Sequence, residues 1–148
     1  MKKSFVTLAL LTGLFMAFQC AVATAQVSCV EVLKNTLRVI DVAENEGWQI
    51  LRMNMGTVDK GSVSTYTTTL SGGSTYTIVA VGDGDRVQDI DLVVLDEDED
   101  LVEKDDDSKN IAVVTFTPRR TQEYICAVKG YTMSHRDAFY CIVVIRHD

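Results

Sequence analysis

The chain of 148 residues carries 21 acidic and 14 basic side chains, and its formal net charge at pH 7 is −7. A surface with this excess of negative charge repels phosphate backbones, so nucleic acid is not an expected partner. The length suits one domain with a single hydrophobic core, and no linker or second domain is visible in the sequence.

The first 25 residues have the order of a bacterial secretory signal peptide. Two lysines precede an apolar run at residues 5–18, and small residues up to Ala25 follow. The run is shorter than the ~20 residues that span a bilayer. We therefore predict cleavage after Ala25, a mature domain at residues 26–148 without a membrane span, and a periplasmic or secreted location in bacteria.

Residues 28–47 predict one N-terminal α-helix. Ser28 and Glu31 have the spacing of a capping box, and Gly47 is placed to end the helix. The apolar stripe is wide but the helix lacks membrane length, so we expect it to pack against the rest of the domain. The stripe consists of Val32, Thr36, Val39 and Ala43, with Leu33, Leu37 and Ile40 in the row beside them.

After Gly47 the hydrophobic period changes to two residues. Residues 64–85 contain two β-branched and aromatic runs separated by Ser71-Gly72-Gly73, which predicts a β-hairpin. Similar runs continue along the chain, and six or more short strands indicate an antiparallel sandwich or barrel. The predicted inward-facing residues are Tyr66, Thr68, Leu70, Tyr76, Ile78, Ala80, Ile90, Leu92, Val94, Ala112, Val114, Phe116, Tyr124, Cys126, Val128, Tyr140, Ile142 and Val144.

Two of the predicted strands are apolar on their second face as well. Val79 and Val81 alternate with the inward-facing residues of one strand, and Val93 and Leu95 do so in the next. A strand that is apolar on both faces is usually covered on both. We expect the helix to dock on this second face.

The order of motifs resembles the bacterial pre-peptidase C-terminal domain family. The resemblance rests on "LSGGSTYTIVAVGDGDRVQDIDLVVLDEDEDLVEKDDD", "VVTFTPRRTQEYICAV" and "FYCIVVI", and covers roughly residues 60 to 145. Its most specific element is "DIDL", from Asp89 to Leu92. The resemblance implies a mainly β fold, an antiparallel jelly-roll-like β-sandwich, to which this chain adds the N-terminal helix. Such domains are usually appended to secreted peptidases, and some of them bind calcium.

Residues 82–107 concentrate acidic side chains in a spacing that suggests a calcium loop. Asp96, Asp98 and Asp100 occupy positions 1, 3 and 5 of an EF-hand ladder. Position 6 is Leu101 rather than the glycine that the sharp turn requires, and the flanking runs are typical of strands rather than helices. A β-turn with solvated side chains therefore explains residues 96–100 better.

A different calcium hypothesis follows if that turn closes a hairpin. The hairpin brings three aspartates after the turn close to two before it, and like charges opposed across strands are destabilising. They either extend into water or are neutralised by a cation, and calcium accepts 6 to 8 oxygen ligands in loose geometry. No cofactor is required by this interpretation, but calcium is the candidate. The candidate ligands are Asp83, Asp85, Asp89, Asp91, Asp105, Asp106 and Asp107.

The alternative interpretation of the same residues needs no metal. In it, Asp89 caps backbone donors at the entry of its strand and the other carboxylates are solvated surface. Screening over ~8 Å at physiological ionic strength makes their mutual repulsion tolerable.

Three cysteines, Cys29, Cys126 and Cys141, follow the predicted cleavage point. Export permits a disulfide, and Cys126 can pair with Cys141 if the two side chains share a face. Alternatively, all three are small buried hydrophobic side chains. Cys29 in the first helical turn lacks a histidine at a spacing that suggests a catalytic pair, so we interpret it as structural. A lipid-modified Cys20 is disfavoured because Gln19 stands where a small residue is needed.

The sequence contains no motif for nucleophilic or metal-dependent hydrolysis. We therefore predict a non-catalytic binding or accessory module for an envelope or extracellular protein or polysaccharide. The alternatives are a calcium-stabilised domain and, less favoured, a small exported hydrolase that uses the carboxylates. Arg119 and Arg120 beside Pro118 are interpreted as keeping a turn soluble, while Trp48 and Tyr131 are candidate exposed contacts.

Overall fold

The computed structural model describes residues 29–147. Residues 29–45 form the helix α1, and the predicted signal peptide and Ser28 of the predicted capping box lie outside the described residues. The strands that follow are β1 (Gln49–Asp59), β2 (Val63–Leu70), β3 (Thr75–Gly82), β4 (Val87–Leu95), β5 (Leu101–Asp105), β6 (Ile111–Phe116), β7 (Gln122–Met133) and β8 (Asp137–His147).

The predicted stop signal of α1 is confirmed. Gly47 has a φ of 76°, in the left-handed region that glycine adopts without a steric penalty. The amide of Trp48 then donates to the carbonyl of Ala43 over 2.9 Å, which satisfies one of the carbonyls left open at the helix end.

The strands form two antiparallel four-stranded sheets. Sheet A has the order β1-β8-β3-β6 and sheet B the order β2-β7-β4-β5. Apart from the β4–β5 hairpin, each connection takes the chain from one sheet to the other. The prediction of a mainly β, jelly-roll-like antiparallel sandwich with one helix is confirmed.

The inner faces of the two sheets enclose the main hydrophobic core. Every residue predicted to face inward is buried or packs partly buried against this core. Its largest side chains include Tyr140, Leu70, Ile78 and Ile90, each at most 2 % exposed. Burying one such side chain contributes about 1.5–3 kcal/mol. Burial of the inward-facing side chains is therefore the main favourable contribution to the stability of the fold.

A second, smaller core lies between α1 and the outer face of sheet A. Val79 and Val81 of β3 pack there, as predicted, and Val32 and Ala43 are the buried helix residues that meet them. Val93 and Leu95, which were expected to share this role, lie in sheet B and are not part of the cluster. Periodicity identifies a second apolar face but not the sheet to which it belongs.

The predicted hairpin between β2 and β3 does not form. β2 pairs with β7, whereas β3 pairs with β6 and β8 in the other sheet. The intervening glycines bond to a distant loop instead: the amide of Gly73 donates to the carbonyl of Pro118 over 2.8 Å. A Cβ at Gly72 would lie 2.8 Å from the Cα of Arg120, so this close backbone approach requires glycine.

Strand β1 was not predicted as a strand. It is an edge strand of sheet A, and most of its side chains are exposed. A register shift occurs between Ile50 and Arg52. The apolar residues that alternate from there on, Leu51, Met53 and Met55, are exposed rather than part of the core.

The candidate disulfide between Cys126 and Cys141 is not formed, because both cysteines are free and buried. Although β7 and β8 are consecutive in sequence, they belong to different sheets. Cys126 packs in the core between the sheets, and Cys141 packs under α1. The alternative interpretation as buried hydrophobic side chains describes both residues.

Candidate functional site

The β4–β5 hairpin places the acidic residues at its two ends. At the turn, Asp96 Oδ1 accepts hydrogen bonds from the amides of Asp98 and Asp100, each at 3.0 Å. Glu99 completes the turn with a φ of 64°. These bonds confirm the interpretation of residues 96–100 as a β-turn, with Asp96 as its backbone cap.

The opposite end of the hairpin brings the two groups of aspartates together, as predicted. Burial raises the pKa of Asp89, and the nearby Asp107 carboxylate raises it further. Burial also raises the pKa of Asp91, with Asp89 and Asp106 adding to the effect and Lys129 opposing it. A carboxyl that is partly desolvated beside other carboxylates holds its proton more tightly.

Most of these carboxylates are already committed to other partners. Asp83 Oδ1 accepts from the amides of Asp85, Arg86 and Val87 at 2.7–3.1 Å, so Asp83 rather than Asp89 caps the entry of β4. Asp105 accepts from the amides of Asp107 and Val113 at 3.1 and 2.7 Å.

Of the other aspartates in the cluster, some form ion pairs with lysines, and some have carboxylate oxygens without a hydrogen-bond partner. Asp106 pairs with Lys104 at 2.5 Å, and Asp107 pairs with Lys109 through its other oxygen. The Oδ1 atoms of Asp89 and Asp107 are buried without a hydrogen-bond partner. These two oxygens alone fall short of the 6 to 8 that calcium takes, and within residues 29–147 no three metal-ligating side chains form a group that could hold an ion.

A cavity of about 620 Å³ lies beside the turn end of the hairpin, between the β4–β5 turn and the β6–β7 loop. Phe116 and Tyr124 line it, with ring centroids 5.2 Å apart. Pro118 is buried and holds the loop against Gly73. We call this space the end cavity.

Polar side chains line the end cavity around the two rings. Arg120 Nη2 lies 2.9 Å from Glu97 Oε1, and its Nε also donates to Gln122. Arg119 lines the same cavity, is exposed, and forms no ion pair within the described part of the chain. The end cavity therefore presents guanidinium and amide donors together with the Asp96 carboxylate beside the partly exposed Phe116 ring, whereas Tyr124 is only 3 % exposed.

The interpretation of both arginines as solubilising turn residues missed this cavity. Arg120 is held in an ion pair with the β4–β5 turn, 23 residues earlier in the chain. The sequence held one indication of this site, which is the presence of two adjacent arginines beside the single proline of an acidic protein. The cavity itself requires the β4–β5 and β6–β7 connections to meet, which local sequence does not show.

The two candidate exposed aromatic contacts have different environments. Tyr131 is 67 % exposed, and Lys129 lies over its ring at 5.5 Å from the centroid. Trp48 is half-buried and stacks on His147 at 4.1 Å between ring centroids. Of these two aromatic residues, only Tyr131 is therefore exposed.

Comparison with solved structures identifies the fold. The pre-peptidase C-terminal domain of a collagenase from Bacillus anthracis matches with a TM-score of 0.51 at 16 % sequence identity, over 63 % of this chain and 87 % of that domain. The chain has the pre-peptidase C-terminal domain fold. This fold was the one implied by the motif order from Leu70 to Ile145, so the resemblance is confirmed at the level of the fold.

Two other solved structures match this chain with lower TM-scores. A periplasmic inhibitor of g-type lysozyme from Aeromonas hydrophila has a TM-score of 0.48 at 13 % identity, over 65 % of this chain and 85 % of that one. A mitogen from Yersinia pseudotuberculosis has a TM-score of 0.47 at 16 % identity, over 68 % and 88 %. No protein-family model and no curated protein sequence matches the chain. From residue 29 to 147, no helix is long and apolar enough to cross a membrane.

Proposed function

We propose that the protein is an exported, non-catalytic carbohydrate-binding module and that the end cavity is its ligand site. The observation that carries the proposal is the combination of the partly exposed Phe116 ring with the polar groups of Arg119, Gln122 and Asp96 in one cavity. Hydroxyl groups both donate and accept hydrogen bonds, so they match a site that offers guanidinium donors and a carboxylate acceptor.

The local charge favours a neutral polysaccharide over a polyanion. All five residues from Asp96 to Asp100 are acidic, and two of them already neutralise Arg120. Arg119 alone does not outweigh the remaining carboxylates, so a polyanion would be repelled at close range. A neutral polysaccharide of the envelope or extracellular matrix meets no such barrier.

Affinity electrophoresis in gels that contain neutral or acidic polysaccharides tests this function. We expect a neutral polysaccharide to retard the protein, and Arg119→Ala to reduce the retardation about tenfold in apparent affinity, because a hydrogen bond to a charged group is lost. Arg136→Ala is the matched control, since it removes an exposed arginine from the β7–β8 connection. Retardation by acidic polysaccharides alone, or equal effects of the two variants, would contradict the proposal.

A calcium-stabilised domain is the second candidate, favoured by one specific observation. The buried Oδ1 atoms of Asp89 and Asp107 have no hydrogen-bond partner, and a cation between them would neutralise their repulsion. Further oxygen ligands would have to come from Asp91 and from solvent, since Asp83 and Asp105 bond to backbone amides.

The hydrolase alternative receives less support. Neither the end cavity nor the apolar cavity between α1 and the outer face of sheet A is lined by Asp89, Asp91 or Asp107. A pair of catalytic carboxylates needs an adjoining concave site in which a substrate can be held.

A further inference from the structure

A second cavity, of about 300 Å³, lies between α1 and the outer face of sheet A. Its wall is apolar except for Asn35, Arg38 and Thr77. We call it the helix–sheet cleft. Its apolar lining residues are Val39, Val42, Ala43, Trp48, Val79, Ile111, Val113 and Ile145.

The cleft exists because α1 covers only part of sheet A. The buried helix residues pack over the central strands β3 and β8. The edge strand β6 is left partly open, so that Val113 is 46 % exposed and Val42 of α1 is 59 % exposed. Two apolar walls therefore stand in water with a gap between them, which is an unfavourable arrangement unless a ligand fills it.

One cationic group is fixed at the cleft. Asn35 is anchored to sheet A through Nδ2, which donates to the carbonyl of Gly82 over 3.2 Å. The Oδ1 atom of Asn35 accepts from Arg38 Nη1 over 3.0 Å. Arg38 forms no ion pair with any side chain of residues 29–147, although the protein carries an excess of acidic groups. Its guanidinium is thus positioned and available to an anion.

We propose that the helix–sheet cleft binds a single-chain amphiphile with a monoanionic head, such as a medium-chain fatty acid. The hydrocarbon chain packs between Val42 and Val113, and the carboxylate pairs with Arg38. Each buried methylene removes apolar surface from water on the ligand and on the cleft wall, and the single charge of the head matches the single guanidinium.

Charge disfavours the other occupants that could cover these walls. A second copy of the chain would bring two molecules of net charge −7 into contact. An anionic membrane surface would repel the same charge. A free monoanion carries one charge, which can pair with the single guanidinium that lines the cleft.

This proposal goes beyond the carbohydrate function and does not depend on it. The residues that line the helix–sheet cleft are different from those that line the end cavity. Loss of polysaccharide binding and loss of amphiphile binding can therefore be observed independently.

Trp48 provides a direct readout, because it lines the cleft and is the single tryptophan of the chain. The purified protein is titrated with dodecanoate, dodecanol and dodecyltrimethylammonium below their aggregation limits, and tryptophan emission is followed. We expect a saturable change with dodecanoate and at least tenfold weaker binding of the cation. Arg38→Gln should weaken dodecanoate binding about tenfold or more and leave dodecanol binding within about twofold, because only the charged contact is lost.

A filling variant tests the location of the chain. Val42→Phe extends a ring into the cleft and should abolish the response to both dodecanoate and dodecanol. Val63→Phe is the matched control, because Val63 is a similarly exposed valine on β2 of the other sheet. Thermal melting followed by circular dichroism shows whether Val42→Phe folds. If it does not, Val113→Phe replaces it, because this variant fills the cleft from the opposite wall.

Several results would overturn the proposal. These are the absence of a saturable change with dodecanoate, equal affinity for the cationic amphiphile, or an Arg38→Gln variant with unchanged affinity. A dimer in sedimentation experiments that dissociates on Val42→Phe would assign the cleft to a second copy. Binding of lipid vesicles without binding of monomeric dodecanoate would assign it to a membrane.

Discussion

Gly56 lies directly opposite Tyr140 in the β1–β8 pairing, and a Cβ on Gly56 would lie 2.7 Å from the Tyr140 Oη atom. The Tyr140 ring is buried and shares a 2.8 Å hydrogen bond with Ser64 of the other sheet. The ring therefore occupies the space that a side chain on β1 would take, and it links the two sheets at their edge.

Gly56→Ala is expected to destabilise the protein by ~1–3 kcal/mol, because the buried ring must move to admit the methyl group. Thr57→Ala, on the adjacent exposed position, should change the free energy of unfolding much less. Urea denaturation measures both. The combination of Gly56→Ala with Tyr140→Leu should lose less than the sum of the single changes, since the clash disappears with the ring.

Cys126 should resist alkylation in the native protein, because burial raises the pKa of its thiol to about 12. Only the thiolate reacts at a useful rate. Treatment with iodoacetamide at pH 8 followed by mass spectrometry should modify Cys29, which is half-buried, well before Cys126 or Cys141. A reducing agent should leave the melting temperature unchanged, and a shift on reduction would show that a disulfide forms after all.

Cys126→Ser is expected to cost about 1–3 kcal/mol, because it places a hydroxyl in the apolar core between the sheets. Cys126→Ala leaves a small void but no unpaired polar group and should cost less. Thermal denaturation of the two variants separates the polar penalty from the packing loss.

Asp89 should make stability depend on pH. Burial, followed by the Asp107 carboxylate, raises its pKa, so the folded state binds the proton more tightly than the unfolded state. The stability that this residue contributes is therefore present below its unfolded pKa and is lost as the pH rises through its folded pKa. Asp89→Asn should raise the free energy of unfolding at pH 7 by ~0.2–1 kcal/mol. In this variant the free energy of unfolding should also fall less as the pH rises from about 4 towards neutrality.

Asp85→Asn is the control for Asp89→Asn, because it removes the same charge from an exposed position in the loop between β3 and β4. It should leave the pH profile close to that of the parent protein. If both variants flatten the profile equally, the effect comes from net charge rather than from the burial of Asp89 and its repulsion by Asp107.

Calcium bound by Asp89 and Asp107 would raise the melting temperature. A site with a ~10 μM dissociation constant would add roughly 2.7 kcal/mol at ~1 mM calcium. The Asp89→Asn variant should abolish this increase, and a chelator should reverse it in the parent protein. An unchanged melting temperature in calcium and in chelator would exclude a stabilising site.

The acidic stretch at residues 82–107 shows how far local sequence could be interpreted. Leu101 stands where an EF-hand needs glycine, and this correctly indicated a turn instead of a calcium loop. The hairpin closed by the predicted turn correctly placed Asp107 near Asp89. The backbone bonds that occupy Asp83 and Asp105 were not predictable. The amide of Val113, for example, comes from β6 of the other sheet, eight residues after Asp105.

The sequence by itself determined which side chains of the predicted strands face the core, because alternation between the two faces of a strand is a local property of the backbone. It also determined the end of α1 at Gly47 and, through motif order, the sandwich fold. The tertiary structure alone decided the strand partners. Strands β2 and β3 could have paired with each other, but β2 pairs with β7 and β3 pairs with β8.

The two cavities were decided in the same way. Arg119 and Phe116 line one site because the β4–β5 and β6–β7 connections meet, and Arg38 and Val113 line the other because α1 leaves β6 uncovered. Both arrangements depend on how elements far apart in the chain pack around a shared core. Burial of apolar surface is non-directional, so the pattern that drives collapse does not specify which surfaces are left open.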